Sequence, residues 1–372
     1  MRNPIRVAFF IDDVGLGGTQ RWLTLLVDAL ATRGFEMRVY SMRAISDPEN
    51  VRRLSKHASV EIIGEGRLWA GVGLAYLLQQ LKSWPAQVVQ TALPTADMVG
   101  RTLAHLARVP AVFSSVRGRA LDKPIWQRWL DRRTVHWARR VVFNNREIIP
   151  HAMRYAGVGK DQIVYIPNGV ALRPPQGSAE DVRRELTTPL QVPIVATIAR
   201  LHASKHQEAL LHALALVHRT YPDAVLWIVG EGERRPAIER EARRLGISAH
   251  LRLPGVRYDV SEILQAIDVF ALPSRWEGMP NALMEAMAAG KPVVASDIDG
   301  IRELISHGET GWRVPPGNVD VLAQTMLEIL SNRERAAQVG RAASMHMQRN
   351  FSIDRMADAY AQLYRDSLRL GV

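Results

Sequence analysis

Short apolar runs alternate with amphipathic stretches from one end of this chain to the other, and the series is broken once. "IRVAFFI", "MRVYSM", "AQVVQTA", "PAVFSSV" and "RRVVFNN" come first; "PIVATIA", "AVLWIVG", "HLRLPG", "VFALPS" and "PVVAS" follow. Runs that are apolar on consecutive residues suit strands covered on both faces, which is what a parallel sheet requires. The segments between them carry helical periodicity. The break lies at 171–189, "ALRPPQGSAEDVRRELTTP", a stretch rich in Pro, Gly and polar residues. Two βα series with a linker between them predict an α/β chain of two Rossmann-like, doubly wound parallel-sheet domains facing across a cleft. The expected boundaries are 1–172 for the first domain, 173–189 for the linker and 190–351 for the second. A last amphipathic stretch, about 352–372, reads as a helix that packs on either domain, including back on the first.

A length of 372 residues agrees with two domains of ordinary size. The absence of cysteine excludes disulfides, thiolate metal sites and a cysteine nucleophile, and fits a reducing cytoplasm. Near the start, the apolar run Val7–Ile11 is too short for a signal sequence or a membrane span and reads as a buried strand. The formal charge of +11 is unevenly spread: Arg101–Arg154 holds twelve Lys and Arg against three acids, a net of +9. Such a field attracts nucleic acid, anionic lipid and phosphorylated substrates alike.

Three loops carry the chemistry. The cluster Gly15-Leu16-Gly17-Gly18-Thr19-Gln20 follows the first strand, yet it puts Gln20 where a dinucleotide fingerprint needs glycine, and the next strand ends without an acid for a ribose. Backbone amides near an anion and a plain tight turn remain equal readings of it. After the strand "PIVATIA", Arg200 and Lys205 offer one forked and one point-like cation, a pair suited to a pyrophosphate. The loop "VGEGERR" supplies Gly230 and Gly232, which permit close backbone approach.

The third loop is "SRWEGMPNALMEAMAAGKPVVAS", where Glu277 and Glu285 bracket a Gly-Met-Pro-Asn turn. Paired acids are the means by which glycosidases cleave sugars. Here, however, Pro280 suits a first helical turn and Gly290 suits the residue after a helix, so Glu277 falls in a loop and Glu285 more than a turn inside a helix. Amides at Met279, Asn281, Ala282 and Leu283 then point out of the helix start, where dipole and N–H groups favour phosphate. A carboxylate accepts hydrogen bonds from sugar hydroxyls. Phosphates in the middle and polyols at both ends describe a sugar nucleotide.

These residues resemble the retaining, GT-B-fold glycosyltransferases of family 4. The resemblance rests on the Glu277-x7-Glu285 spacing, "GKPVVAS", "ARLHASKH", "VGEGERR", "LPGV", "IPNGV" and the early "GGTQR", in order over nearly the whole chain. It implies that Arg200 and Lys205 bind the donor diphosphate, and that Glu277 holds donor-sugar hydroxyls beside Gly278 and Met279. The turn at Pro280 with Asn281, Ala282 and Leu283 would face the phosphates, Glu285 the ribose, Gly255 and Val256 the base. Gly17 and Gly18 would line the acceptor side. It implies no cofactor and no metal, with a nucleotide-diphosphate sugar as donor substrate. Where many members carry a histidine, this chain has Arg117, placed with the catalytic set and suited to a phosphate or an anionic acceptor. His206 stands where the family commonly has glycine.

The expected activity is retaining transfer of a hexose-type sugar from a UDP- or GDP-sugar to a polyol, saccharide or lipid-linked acceptor, in polysaccharide or glycolipid synthesis. A 2-epimerase or hydrolase of the same fold, or a non-catalytic sugar-nucleotide-binding subunit, is the alternative. In "DKPIWQRWLDRRTVHWARRVVF", the expectation is that Trp126, Trp129 and Trp137 are mostly buried while arginines form a cationic rim. That rim predicts an anionic partner, with a cytoplasmic protein peripheral to the inner face of the cell membrane. No recognised nucleic-acid module is present, and no nucleic-acid partner is expected.

Overall fold

The computed structural model describes residues 3–118, 125–171 and 174–369. It divides into two compact units: Met1–Gly169 with Ile353–Val372, and Val170–Ser352. In the first, β1 (Ile5–Ile11), β2 (Phe35–Ser41), β3 (Ala58–Ile62), β4 (Val88–Ala92), β5 (Ala111–Val116), β6 (Arg140–Phe143) and β7 (Ile163–Tyr165) form one sheet. Its order is β3-β2-β1-β4-β5-β6-β7, and every pairing is parallel. The second unit repeats the plan with β8 (Ile194–Ile198), β9 (Val225–Val229), β10 (Leu251–Gly255), β11 (Val269–Leu272), β12 (Val293–Ser296) and β13 (Trp312–Val314). These six follow the order β10-β9-β8-β11-β12-β13, again all parallel.

Side-chain alternation feeds both faces of each sheet. Val7, Phe9 and Ile11 of β1 enter one core layer while Ala8 and Phe10 enter the other. Val225, Trp227 and Val229 of β9 likewise pack opposite Leu226 and Ile228. Each such large apolar side chain contributes about 1.5–3 kcal/mol through burial. The three strands absent from the sequence reading, β3, β7 and β13, all lie at sheet edges and are short. An edge strand is covered less, so it needs no continuous apolar run.

The expected linker is partly built into the second unit. Residues Ala179–Glu185 are helical, with the Ser178 hydroxyl accepting from the Asp181 amide at 3.0 Å. Val182 and Leu186, one turn apart, enter the core, and Thr188 accepts the Trp227 indole N–H at 3.1 Å. Two apolar residues among Pro, Gly and charge are too thin a stripe to read from sequence.

The basic segment also departs from expectation: Trp126 and Trp129 are each 55% exposed, and only Trp137 is half-buried, stacked on His105 at 4.5 Å. The reason is polar. Helix Ile125–Thr134 turns Asp131 and Thr134 inward, where Arg101, 4% exposed, bonds them at 3.3 and 3.2 Å. The tryptophans, on the opposite side of the helix, are thereby directed to solvent. Asp122, Lys123 and the rest of residues 119–124 in that segment lie outside the described residues.

The C-terminal helix Ile353–Arg369 packs on the first unit, placing Met356, Tyr360, Ala361 and Tyr364 beside Trp22, Leu26 and Phe113. Arg33 ties its outer face through Asp354 at 2.7 Å and Asp358 at 2.8 Å. Tyr364 is fully buried, and its hydroxyl donates to Gln90 Oε1 at 3.0 Å. Tyr364→Ala should therefore cost about 3–5 kcal/mol in urea denaturation, and Tyr364→Phe about 1–3 kcal/mol for the orphaned acceptor.

Candidate functional site

In open α/β sheets, ligands bind beyond the strand C-termini where strand order reverses. In the second unit that point lies between β8 and β11, so the loops at 199–207 and 273–280 flank it. Arg200 sits in the first loop, pinned by Ala199 N–H to Val229 O at 3.0 Å and Leu201 N–H to Glu231 O at 2.9 Å. Glycine makes this stitching feasible. A Cβ on Gly230 would lie 2.1 Å from Ala199 O, and one on Gly232 would lie 2.3 Å from Leu201 O. The Gly230 amide in turn donates to Gly255 O at 2.8 Å, bringing Gly255 to the same loop cluster, with Val256 partly exposed beside it. The Arg200 side chain is exposed, and its carbonyl accepts from Gln207 Nε2 at 2.9 Å.

A 3-10 turn at Ala203–Lys205 then presents Lys205, and His206 closes it at φ 51° and ψ 43°. This is a left-handed position in which glycine is unstrained and a histidine is not. The expected departure from the family thus has a backbone cost. Burial, then the Arg275 charge, depress the His206 pKa below the ordinary imidazole value, which keeps the ring neutral at pH 7. The two loops meet where the Arg275 amide donates to Ser204 O at 2.8 Å.

At that junction the Lys205 ammonium donates to both oxygens of Glu277, at 2.6 and 2.8 Å. Ser274 Oγ donates to Glu277 Oε1 at 2.7 Å. The Glu277 side chain is 7% exposed and that of Lys205 24%. Removing one member of so enclosed a pair leaves the other uncompensated, at a cost of about 3–5 kcal/mol. With a cation on both oxygens, Glu277 is an acceptor of hydrogen bonds and a poor candidate for the proton donor of a glycosidase pair.

The helix runs Asn281–Ala288, with Pro280 at its N-cap, one residue outside the expected first turn. Its first helical bond is from Met284 N–H to Pro280 O at 3.2 Å, so the amides of Ala282 and Leu283 precede the ladder. Gly278 and Met279 form the turn that leads in, with Met279 buried. Glu285 is buried more than a turn into the helix.

Two contributors escaped the sequence reading. Ser274 is a fully buried serine at a strand end whose only signal was its place before "RWEG". Gly300 opens onto the turn after β12, where a Cβ would lie 1.8 Å from Gly278 O. It lets this turn lie directly against the Glu277–Gly278 backbone. Contrary to the expectation that the chain carries no Asp-x-Asp triplet, Asp297-Ile298-Asp299 is one. Asp297 is paired to Arg302 and Arg313 at 2.9 and 2.8 Å, and no cluster of three His, Asp or Glu able to hold a metal occurs among the described residues.

Gly17, Gly18 and Arg117 belong to the first unit. Gly17 is extended and precedes the helix Gly18–Leu30. Asp13 Oδ1 organises this loop, accepting from Gly15 N–H at 3.0 Å and Gln20 Nε2 at 2.8 Å. Arg117, after β5, lies 3.8 Å over the Trp22 ring one turn into that helix, and bonds Asn168 Oδ1. These contacts hold it against the fold of its own unit and distinguish it from a solvated loop residue. Gly300→Ala should displace the Glu277–Gly278 backbone and cost about 1–3 kcal/mol in urea denaturation. Gly66→Ala, where a Cβ meets nothing within 4 Å, should cost nothing by the same measurement.

Comparison with known proteins gives this geometry a family. The model of glycosyl transferases group 1 matches residues 178–346, and that of glycosyltransferase family 4 matches residues 16–173. An Escherichia coli UDP-Gal:alpha-D-GlcNAc-diphosphoundecaprenol alpha-1,3-galactosyltransferase is 28% identical over 272 residues, covering 70% of each chain. The lipopolysaccharide core biosynthesis glycosyltransferase LpsE of Rhizobium meliloti is 30% identical over 181 residues, 49% of this chain and 52% of that protein. The chain thus spans about half the length of that relative. Among solved structures, Anabaena HepE in complex with UDP-glucose superposes with a TM-score of 0.82 at 22% identity, covering 97% of this chain and 99% of that one. With both sheets and both family models in place, the fold is GT-B and the chain belongs to the group 1, family 4 glycosyltransferases.

Proposed function

We propose that this protein transfers a hexose-type sugar from a UDP- or GDP-sugar to an acceptor hydroxyl, with retention of anomeric configuration, in polysaccharide, glycolipid or lipid-linked oligosaccharide synthesis. The observation that carries this reading is the Lys205–Glu277–Ser274 cluster beside the start of helix Asn281–Ala288, at the switch point of the second sheet. Two of the three ammonium donors of Lys205 are spent on Glu277, and the third serves the donor diphosphate together with Arg200. The turn Gly278–Met279–Pro280 and the amides of Asn281, Ala282 and Leu283 receive the phosphates, aided by the helix dipole. Glu277 accepts hydrogen bonds from the sugar, Glu285 from the ribose, and Gly255–Val256 flank the base. The UDP-glucose complex of Anabaena HepE supports a donor of this class.

In the step itself, the C1–O bond to the diphosphate breaks and the acceptor oxygen bonds C1 on the same face. The acceptor proton passes to the leaving phosphate oxygen. Charge accumulates on that diphosphate, so Arg200, Lys205 and the helix start do their work where the transition state is most negative. They supply the positive field for which other enzymes use a divalent ion. With a UDP- or GDP-sugar in EDTA, Glu277→Ala should lower kcat by about a hundredfold, the order of loss for one well-placed electrostatic contact. Glu285→Ala should raise the nucleotide Kd about tenfold, the equivalent of roughly 1.4 kcal/mol. Unchanged values in both would end the transferase reading. Product analysis with and without acceptor separates transfer from epimerisation or hydrolysis, and binding without turnover would identify a non-catalytic subunit.

The exposed Trp126 and Trp129 favour a lipid-linked acceptor met at an anionic membrane surface, on the inner face of the cell membrane. Arg132 and Arg133 are exposed on the same helix, and its one acid, Asp131, is turned inward onto Arg101. Trp and Arg presented together suit a membrane interface. No helix among the described residues is long and apolar enough to cross a membrane. Flotation with phosphatidylglycerol vesicles should recover the protein, salt should weaken that recovery, and Trp126→Ala with Trp129→Ala should abolish it; equal recovery of the double variant would refute the surface.

A further inference from the structure

Among the described residues of its unit, no carboxylate is paired with Arg117. It lies at the C-terminal end of β5, the side of the sheet on which α/β proteins hold ligands. Its guanidinium is half-buried, 3.8 Å over Trp22, and donates to Asn168 Oδ1 and, at 3.5 Å, to the Tyr360 hydroxyl. All three partners are neutral, and among the described residues of its own unit no carboxylate touches it. The two most deeply buried arginines of the described part of the unit are treated differently. Arg101 has Asp131 at 3.3 Å and Asp97 at 3.4 Å, and Arg53 has Asp28 at 2.9 Å. The acids of the neighbouring β1 loop are committed elsewhere, Asp12 to the Ala96 amide at 2.7 Å and Asp13 to Gly15 and Gln20.

An enclosed cation without a counter-ion is unfavourable unless something else supplies the negative charge. Burial, partly opposed by Tyr360 and Tyr364, draws the Arg117 pKa down to about 10, which still leaves the group charged at neutral pH. The indole face and two hydrogen bonds hold the planar fork in one orientation, so little rotamer entropy remains to be lost on binding. Two of its five N–H donors are engaged by Asn168 and Tyr360. A neutral hydroxyl needs no such charge, whereas a phosphate or carboxylate matches it in sign and geometry.

We infer that Arg117 is the counter-charge for an anionic group, a phosphate or a carboxylate, carried by the acceptor. This rests on the glycosyltransferase reading, in which the first unit receives the acceptor. A brace joining β5, Asn168 and the C-terminal helix would explain the same contacts, so the test must read anion binding as well as stability. The full chain, saturated with UDP or GDP to fill the donor side, is titrated with methyl phosphate, with acetate, and with methyl glucoside as the neutral control, and the melting temperature is followed. One of the two anions should raise it for the wild type, and which one does so identifies the acidic group. Arg117→Gln should need at least tenfold more of that anion for the same shift, while Arg117→Lys, with charge but no fork, should fall between. Because the shift is compared within each variant, a lower starting melting temperature in Arg117→Gln does not affect the result. An equal anion response in Arg117→Gln, or none in the wild type, overturns the proposal. Failure of both nucleotides to bind would instead count against the glycosyltransferase reading.

Discussion

Both sheets are parallel and covered on two faces, and this burial decides where chemistry resides. The residues of β1 and β8–β12 that point to either face are almost all apolar, leaving no lateral surface for a charged ligand. Polar and charged groups are therefore displaced to the strand ends, where loops need not fill a core. Lys205, Glu277 and Ser274 all follow the C-terminal ends of β8 and β11. The same rule places Asp13, Arg117 and Asn168 beyond β1, β5 and β7 in the first unit.

Holding charge at such a point demands close backbone approach, and the second unit achieves it by omitting side chains. Gly230 and Gly232 let the β9 loop pass the Arg200 loop, and Gly300 lets the β12 turn press against Gly278. The result is a Glu277 fixed from three directions: Lys205, Ser274, and the backbone stacked beneath it. Its orientation is set by the fold before any ligand arrives, so little reorganisation is required at the moment of reaction. The left-handed His206 fits the same logic, since the chain must turn sharply to deliver Lys205 and then enter the next helix.

Legibility followed burial. Central strands such as "IRVAFFI" and "AVLWIVG" were visible because two-sided covering forces an unbroken apolar run, whereas β3, β7 and β13 lack one at the sheet edges. Glu277 and Lys205 were visible as a motif, but their direct contact was not, because it joins residues 72 apart through a loop junction. Ser274 and Gly300 were hidden for a simpler reason: a serine and a glycine are common at strand ends, and only a distance distinguishes one that braces a carboxylate. The tryptophans misled because periodicity assigns the apolar face inward by default. Here the inward face was taken by an ion cluster around Arg101 that no local pattern reveals.

That cluster and Arg117 show two uses of the same residue type within one unit. Arg101 spends its charge on Asp97 and Asp131, and Thr91 and Thr134 complete the hydrogen bonding. Its charge is neutralised inside the fold, and its effect is to lock helix Ile125–Thr134 onto helix Pro94–Leu106. Arg117 is held as firmly, yet by an indole ring, an amide and a phenol. Neutral partners fix direction without cancelling charge, so the field of Arg117 extends past its own contacts while that of Arg101 does not. A protein that only needed rigidity at β5 could have used an acid there, as it did around Arg101 with Asp97 of helix Pro94–Leu106 and again with Asp131. Leaving the cation without a carboxylate among the described residues of its unit preserves an interaction that an incoming anion would complete.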